Sequence, residues 1–133
     1  MLLVLQSMSL WYPGKILAQL GRRKYELVTF RLDEESKKYI DKYNTISWAQ
    51  ILRNAILSVG KALDRGLTHE LLLTKKPSNI IDKNFAFRVG DMEKMYIDKY
   101  RSINWSEVYR NAIKLVGEAL DRREVHPLIF GTY

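Results

Sequence analysis

Two stretches of the chain alternate large apolar residues with small or polar ones: Val28-Thr29-Phe30-Arg31-Leu32 and Phe85-Ala86-Phe87-Arg88-Val89. Period two is the mark of a β-strand with one buried face. The alternation predicts Val28, Phe30 and Leu32 inward and Leu27, Thr29 and Arg31 outward. In the second stretch it predicts Phe85, Phe87 and Val89 inward and Asn84, Ala86 and Arg88 outward. The opposite register exposes the phenylalanines of both strands, which argues against it. After each strand the period changes to that of a helix. Tyr39, Ile40 and Tyr43 form a short apolar stripe, matched by Tyr96, Ile97 and Tyr100. Asp33 is placed to cap the first short helix, with Glu34 and Glu35 suiting the positive end of its dipole. In the second stretch the acid, Asp91, comes one place later, after Gly90.

A longer helix then follows in each stretch, opening at Ser47 and at Asn104. Its apolar positions run Trp48, Ile51, Leu52, Ala55, Ile56, Val59, Leu63 and Trp105, Val108, Tyr109, Ala112, Ile113, Val116, Leu120. Ser47 with Gln50, and Asn104 with Glu107, have the spacing of capping boxes, although only the first has the usual Ser/Thr cap. Gly60 and Gly117 lie on the apolar side, where glycine costs a helix roughly 1 kcal/mol relative to alanine. Either another helix approaches closely there, or duplication copied a tolerated glycine.

The two stretches are copies. Ile40-Asp41-Lys42-Tyr43 returns as Ile97-Asp98-Lys99-Tyr100, Arg53-Asn54-Ala55-Ile56 as Arg110-Asn111-Ala112-Ile113, and Ala62-Leu63-Asp64-Arg65 as Ala119-Leu120-Asp121-Arg122, always at one constant offset. Residues 28–66 align with 85–123 without a gap, and 20 of the 39 positions are identical. One strand alone leaves its backbone amides unpaired, and a unit of roughly 40 residues buries too little surface to stand alone. The strands are therefore expected to pair antiparallel, 28–32 against 85–89. The fold class that follows is α+β and mostly helical, a two-stranded ribbon packed on four helices. The expected division is an apolar and basic extension (1–24), a first unit (25–66), a linker (67–83), a second unit (84–123) and a tail (124–133). Leu71, Leu72 and Leu73 suggest that the linker also packs, as a helical turn.

Composition narrows the function. The net charge of +7 favours an anionic partner such as nucleic acid. With no cysteine there is no disulfide scaffold, thiolate metal site or cysteine nucleophile. Met1–Tyr12 is apolar but shorter than the roughly 20 residues of a membrane span, and it lacks the charged start and cleavage site of a signal peptide. A cytoplasmic chain is expected. Its two histidines, His69 and His126, fall in the linker and tail and are read as surface residues. With no nucleophile set, phosphate loop or carboxylate pair in view, no enzyme, cofactor, metal, membrane or small-molecule substrate is expected.

Strand, short helix, capped turn and longer helix, with an arginine near the strand end and a polar cap on the second helix, resemble the ribbon-helix-helix fold of the Arc, MetJ and CopG repressors. Thr29-Phe30-Arg31-Leu32 with Ser47, and Ala86-Phe87-Arg88-Val89 with Asn104, carry the resemblance, which covers the two units and neither the linker nor the ends of the chain. Two departures are Asp33 and Gly90, where the family has proline, and Trp48 and Trp105, where it more often has a polar residue. In plan the chain is similar to tandem regulators of archaeal viruses and plasmids. The resemblance implies a transcription regulator, a repressor by preference, that inserts its ribbon into the major groove of double-stranded DNA. Arg31 and Arg88 suit guanine, Asn84 suits adenine, and Thr29 and Ala86 suit a thymine methyl, with Leu27 at the edge of the surface. The helix-opening amides of Ser47, Trp48, Ala49, Asn104, Trp105 and Ser106 suit backbone phosphates, and Arg22, Arg23 and Lys24 add charge beside them. Arg53 and Arg110, further along, suit an ion pair as well as DNA. The unlike sets Leu-Thr-Arg and Asn-Ala-Arg imply an imperfect palindrome as the site. The termini are candidates for self-association. The alternatives are an antitoxin, for which the tail is short, and a protein-interaction module.

Overall fold

A computed structural model describes residues 26–73 and 78–131. The elements follow one another as β1 (Glu26–Asp33), α1 (Glu34–Lys42), α2 (Trp48–Asp64), a 3-10 turn (Glu70–Leu72), β2 (Ile80–Val89), α3 (Asp91–Lys99), α4 (Trp105–Asp121) and a second 3-10 turn (Pro127–Ile129). The two strands form one antiparallel sheet, and the helices pack behind it. The fold is α+β, as the periodicities predict. Both strands run longer than the alternation, and β2 starts well before Phe85. Lys83 breaks the alternation there, and the Asp33–Ile80 pair lies past an irregularity in the register.

The inward side chains of the ribbon are those expected. Phe30, Leu32, Phe87 and Val89 are buried, and Val28 and Phe85 pack partly buried against the same core. Phe30 and Phe87 meet edge to face and both lie on Tyr109, their ring centroids 5.0 and 5.2 Å from it. Burial pushes the Tyr109 phenol well above its ordinary pKa. Ile51, Leu52, Ile56, Val59, Val108, Ile113 and Val116 complete the core from α2 and α4.

The termini of the helices follow from side chains. Asp33 caps α1, accepting from the Ser36 amide at 2.9 Å, while Asn79 and Ser78 accept from the amides of Glu34 and Glu35. Gly90 caps α3 instead of Asp91, and the Glu93 carboxylate accepts from the Gly90 amide. Ser47 and Asn104 cap α2 and α4, accepting from the amides of Gln50 and Glu107. Trp48 and Trp105 are buried, and each indole donates to the carbonyl that ends the preceding helix, that of Tyr43 or Tyr100, at 3.0 Å. That bond closes the interhelical turn, which explains the aromatic residue at this place. Past their ends, α2 and α4 turn left-handed at Gly66 (φ 72°) and Arg123 (φ 61°), with the amides of Leu67 and Glu124 returning to Ala62 and Ala119.

Contacts between the halves come in pairs related by the offset of the repeat. Tyr39 lies on Gly117 and Tyr96 on Gly60, each ring so near that a Cβ on the glycine would overlap it. Of the two explanations for these glycines, close approach is therefore the one that holds. Lys42 and Tyr43 bind Asp121, as Lys99 and Tyr100 bind Asp64. Asn54 donates to the Leu128 carbonyl and Asn111 to that of Leu71. The correspondence thus runs past residue 66. The two 3-10 turns, with Leu71 and Leu128 fully buried, are counterparts inside the stretches read as linker and tail. His69 and His126 are not surface residues. Each is half-buried and caps its turn, Nδ1 accepting from the amide two residues on, and burial lowers both pKa values.

Candidate nucleic-acid interface

The outer face of the ribbon is set by the same alternation that builds the core. Leu27, Thr29 and Arg31 on β1 and Asn84, Ala86 and Arg88 on β2 are all exposed. The register brings them together as Leu27 opposite Arg88, Thr29 opposite Ala86 and Arg31 opposite Asn84. Thr29 and Ala86 are themselves counterparts in the repeat, so they sit at the centre about which the halves exchange. One end of the face carries Arg31 with Asn84, and the other Arg88 with Leu27. Leu27 is 67% exposed on this face, an unfavourable place for an apolar side chain in water unless something covers it.

The two arginines differ in surroundings. Arg31 reaches Asp82, the next outward residue beyond Asn84, at 3.7 Å, and both side chains are exposed. Arg88 has no acidic partner among the described residues. The alternation does not extend the strand as far as Asp82, because Lys83 interrupts it, so this neighbour of Arg31 has no signal in the sequence.

Neither Arg53 nor Arg110 makes an ion pair among the described residues. Arg53 Nη1 donates to the Arg88 carbonyl at 2.9 Å, and Arg110 Nη1 to the Arg31 carbonyl at 2.7 Å. Each ties a long helix of one half to the strand of the other at the residue whose side chain is the outward arginine. Nothing in the sequence pattern marks this role, since it depends on which strand lies over which helix.

The helix-opening residues divide. Ser47 and Asn104 are exposed and occupied as caps. The amides of Trp48 and Trp105 donate back to the carbonyls of Ile46 and Ile103 at 3.1 and 3.0 Å, so these two are committed within the turn. The amides of Ala49 and Ser106 have no hydrogen-bond acceptor among the described residues. Arg22, Arg23 and Lys24 lie outside the described residues.

Among the described residues no group of three His, Asp or Glu side chains is placed to hold a metal ion, and no helix is long and apolar enough to cross a membrane. Comparison of the chain with protein-family models, with characterised proteins and with solved structures finds no match.

Proposed function

We propose that the chain binds double-stranded DNA by sequence, as a transcription regulator of ribbon-helix-helix plan, with the two halves of one chain supplying the two strands of the ribbon. The observation that carries this reading is the outer face of the ribbon. Six exposed side chains able to meet base edges stand in three facing pairs on a two-stranded element of the width a major groove admits. Arg31 and Arg88 grip guanine O6 and N7, Asn84 grips adenine, and Thr29, Ala86 and Leu27 lie against thymine methyls. The free amides of Ala49 and Ser106 take phosphate oxygens at the positive ends of α2 and α4. The charge of +7 supplies the sequence-independent attraction. Repression follows from occupancy of the site.

The test is selection from random duplex DNA at about 150 mM salt, an ionic strength that screens loose contacts. The wild-type chain should enrich a defined, imperfectly palindromic site. Arg31→Ala/Arg88→Ala should keep only weak, salt-sensitive binding, each lost bidentate contact removing about 1–3 kcal/mol of discrimination. A wild-type chain that enriches nothing refutes the reading and turns attention to a protein partner.

A further inference from the structure

A buried ion pair between the halves has no mirror image. Lys114 Nζ lies 2.5 Å from Asp33 Oδ2 and 3.9 Å from Glu35, with Asp33 fully buried and the Lys114 side chain 7% exposed. The offset that carries Ile40 to Ile97 also carries Leu57 to Lys114, Asp33 to Gly90 and Glu35 to Met92. The matching contact on the other side would therefore be made by Leu57, Gly90 and Met92. The Tyr–Gly, Lys/Tyr–Asp, Asn–carbonyl and Arg–carbonyl contacts between the halves each occur twice, with the same residue types. This one joins an ammonium to a carboxylate on one side only, and the other side is apolar.

We propose that Asp33 and Lys114 form a pairing code that directs the first half to the second and forbids either half from pairing with its own kind in another copy of the chain. Exchanging partners would strand both charges. If two first halves paired, each Asp33 would face a Leu57, and two carboxylates would be buried with no cation. If two second halves paired, two Lys114 ammoniums would be buried facing Gly90. A buried charge without a partner is strongly unfavourable, whereas the pair as found satisfies both charges. The mirrored contacts cannot discriminate, because each survives like-with-like pairing unchanged. The code is independent of DNA binding, but it fixes a ribbon with unlike ends.

The absence of cysteine offers a direct test. Like-with-like pairing of first halves in the observed register places Thr29 opposite Thr29 of the other copy, since Thr29 and Ala86 are opposite now. Thr29→Cys in the full chain, refolded at high concentration and treated with a short bis-maleimide, therefore reports that pairing alone. A reciprocal exchange of unlike halves leaves each cysteine opposite Ala86 and gives no cross-link. The background to compare is Asp33→Asn/Lys114→Leu, which removes both charges and keeps a side-chain acceptor for the Ser36 amide that caps α1. Thr29→Cys alone should remain monomeric, and in the double-variant background the cross-linked dimer should rise several-fold. Asn111→Ala, which destabilises without touching the code, should leave the dimer at the wild-type level. Equal dimer fractions in the coded and uncoded backgrounds, or a comparable rise with Asn111→Ala, would overturn the proposal.

Discussion

Helices α2 and α4 present the same face to the core with nearly the same residues, yet Leu57 on one corresponds to Lys114 on the other, and Leu52 to Tyr109. Where the two sequences agree, the contacts agree: Trp48 and Trp105 close their turns, Arg53 and Arg110 brace a strand, Asn54 and Asn111 hold a 3-10 turn. Of the differences, Leu57/Lys114 and Asp33/Gly90 sit at the seam between the halves, and Leu27/Asn84 and Thr29/Ala86 on the outer face of the ribbon. Identity between the halves thus maintains the frame, while divergence defines which half goes where and what the two ends of the ribbon present.

The largest effect is expected from removing the unmirrored cation. Lys114→Leu leaves Asp33 buried and uncompensated and should cost about 3–5 kcal/mol at neutral pH in denaturant unfolding. The pH dependence should also weaken. In the wild-type chain burial alone would raise the Asp33 carboxyl, but Lys114 and Ser36 outweigh it and hold the carboxyl below its ordinary value. Its contribution is thus fully present above the carboxylate range and is lost as pH falls through the lowered folded value. Without Lys114 burial is opposed by Ser36 alone, so the stability that Asp33 loses on acidification should shrink in the variant. An equal loss of stability on acidification in both chains would show that Asp33 is not the group responsible.

The mirrored seam should respond equally on its two sides. Gly60→Ala and Gly117→Ala each drive a methyl into a tyrosine ring, Tyr96 in the first case and Tyr39 in the second. Each should lower stability by about 1–3 kcal/mol, the usual range for overpacking, and the two losses should match. A tolerated alanine at one site only would show that the halves pack differently there. The smallest of these effects is a gain. Arg123 holds the left-handed conformation that Gly66 holds on the other side. Arg123→Gly should therefore stabilise by about 1 kcal/mol, whereas Gly66→Arg should destabilise. Thermal unfolding of the two variants measures both signs.

Much of this is legible in the sequence because it is periodic. Alternation places Phe30 and Phe87 under the ribbon and Arg31 and Arg88 over it, and the helical period places Ile51, Ile56, Ile113 and Val116 in the core. The repeat gives each element a second witness. The pairing of the two 3-10 turns is harder to see, although His69-x-Leu71 returns as His126-x-Leu128 at the same offset, because the surrounding residues have diverged. The bracing by Arg53 and Arg110, the Trp bonds and the Asp33–Lys114 pair are not legible. The arginine braces and the ion pair join residues by a tertiary approach, and the Trp bonds depend on the shape of the turn, none of which a local period encodes; a lysine four places past Arg110 reads as solvated until Asp33 is seen beneath it.

The proposed ribbon reads the two sides of one DNA site with its two unlike ends. On a duplex enriched by the wild-type chain, we would measure base preference at every position for Arg31→Ala and Arg88→Ala separately. Each variant should lose about 1–3 kcal/mol of discrimination, at different base pairs on opposite sides of the centre occupied by Thr29 and Ala86. Two variants that weaken binding uniformly at all positions, with base preferences unchanged, would contradict it.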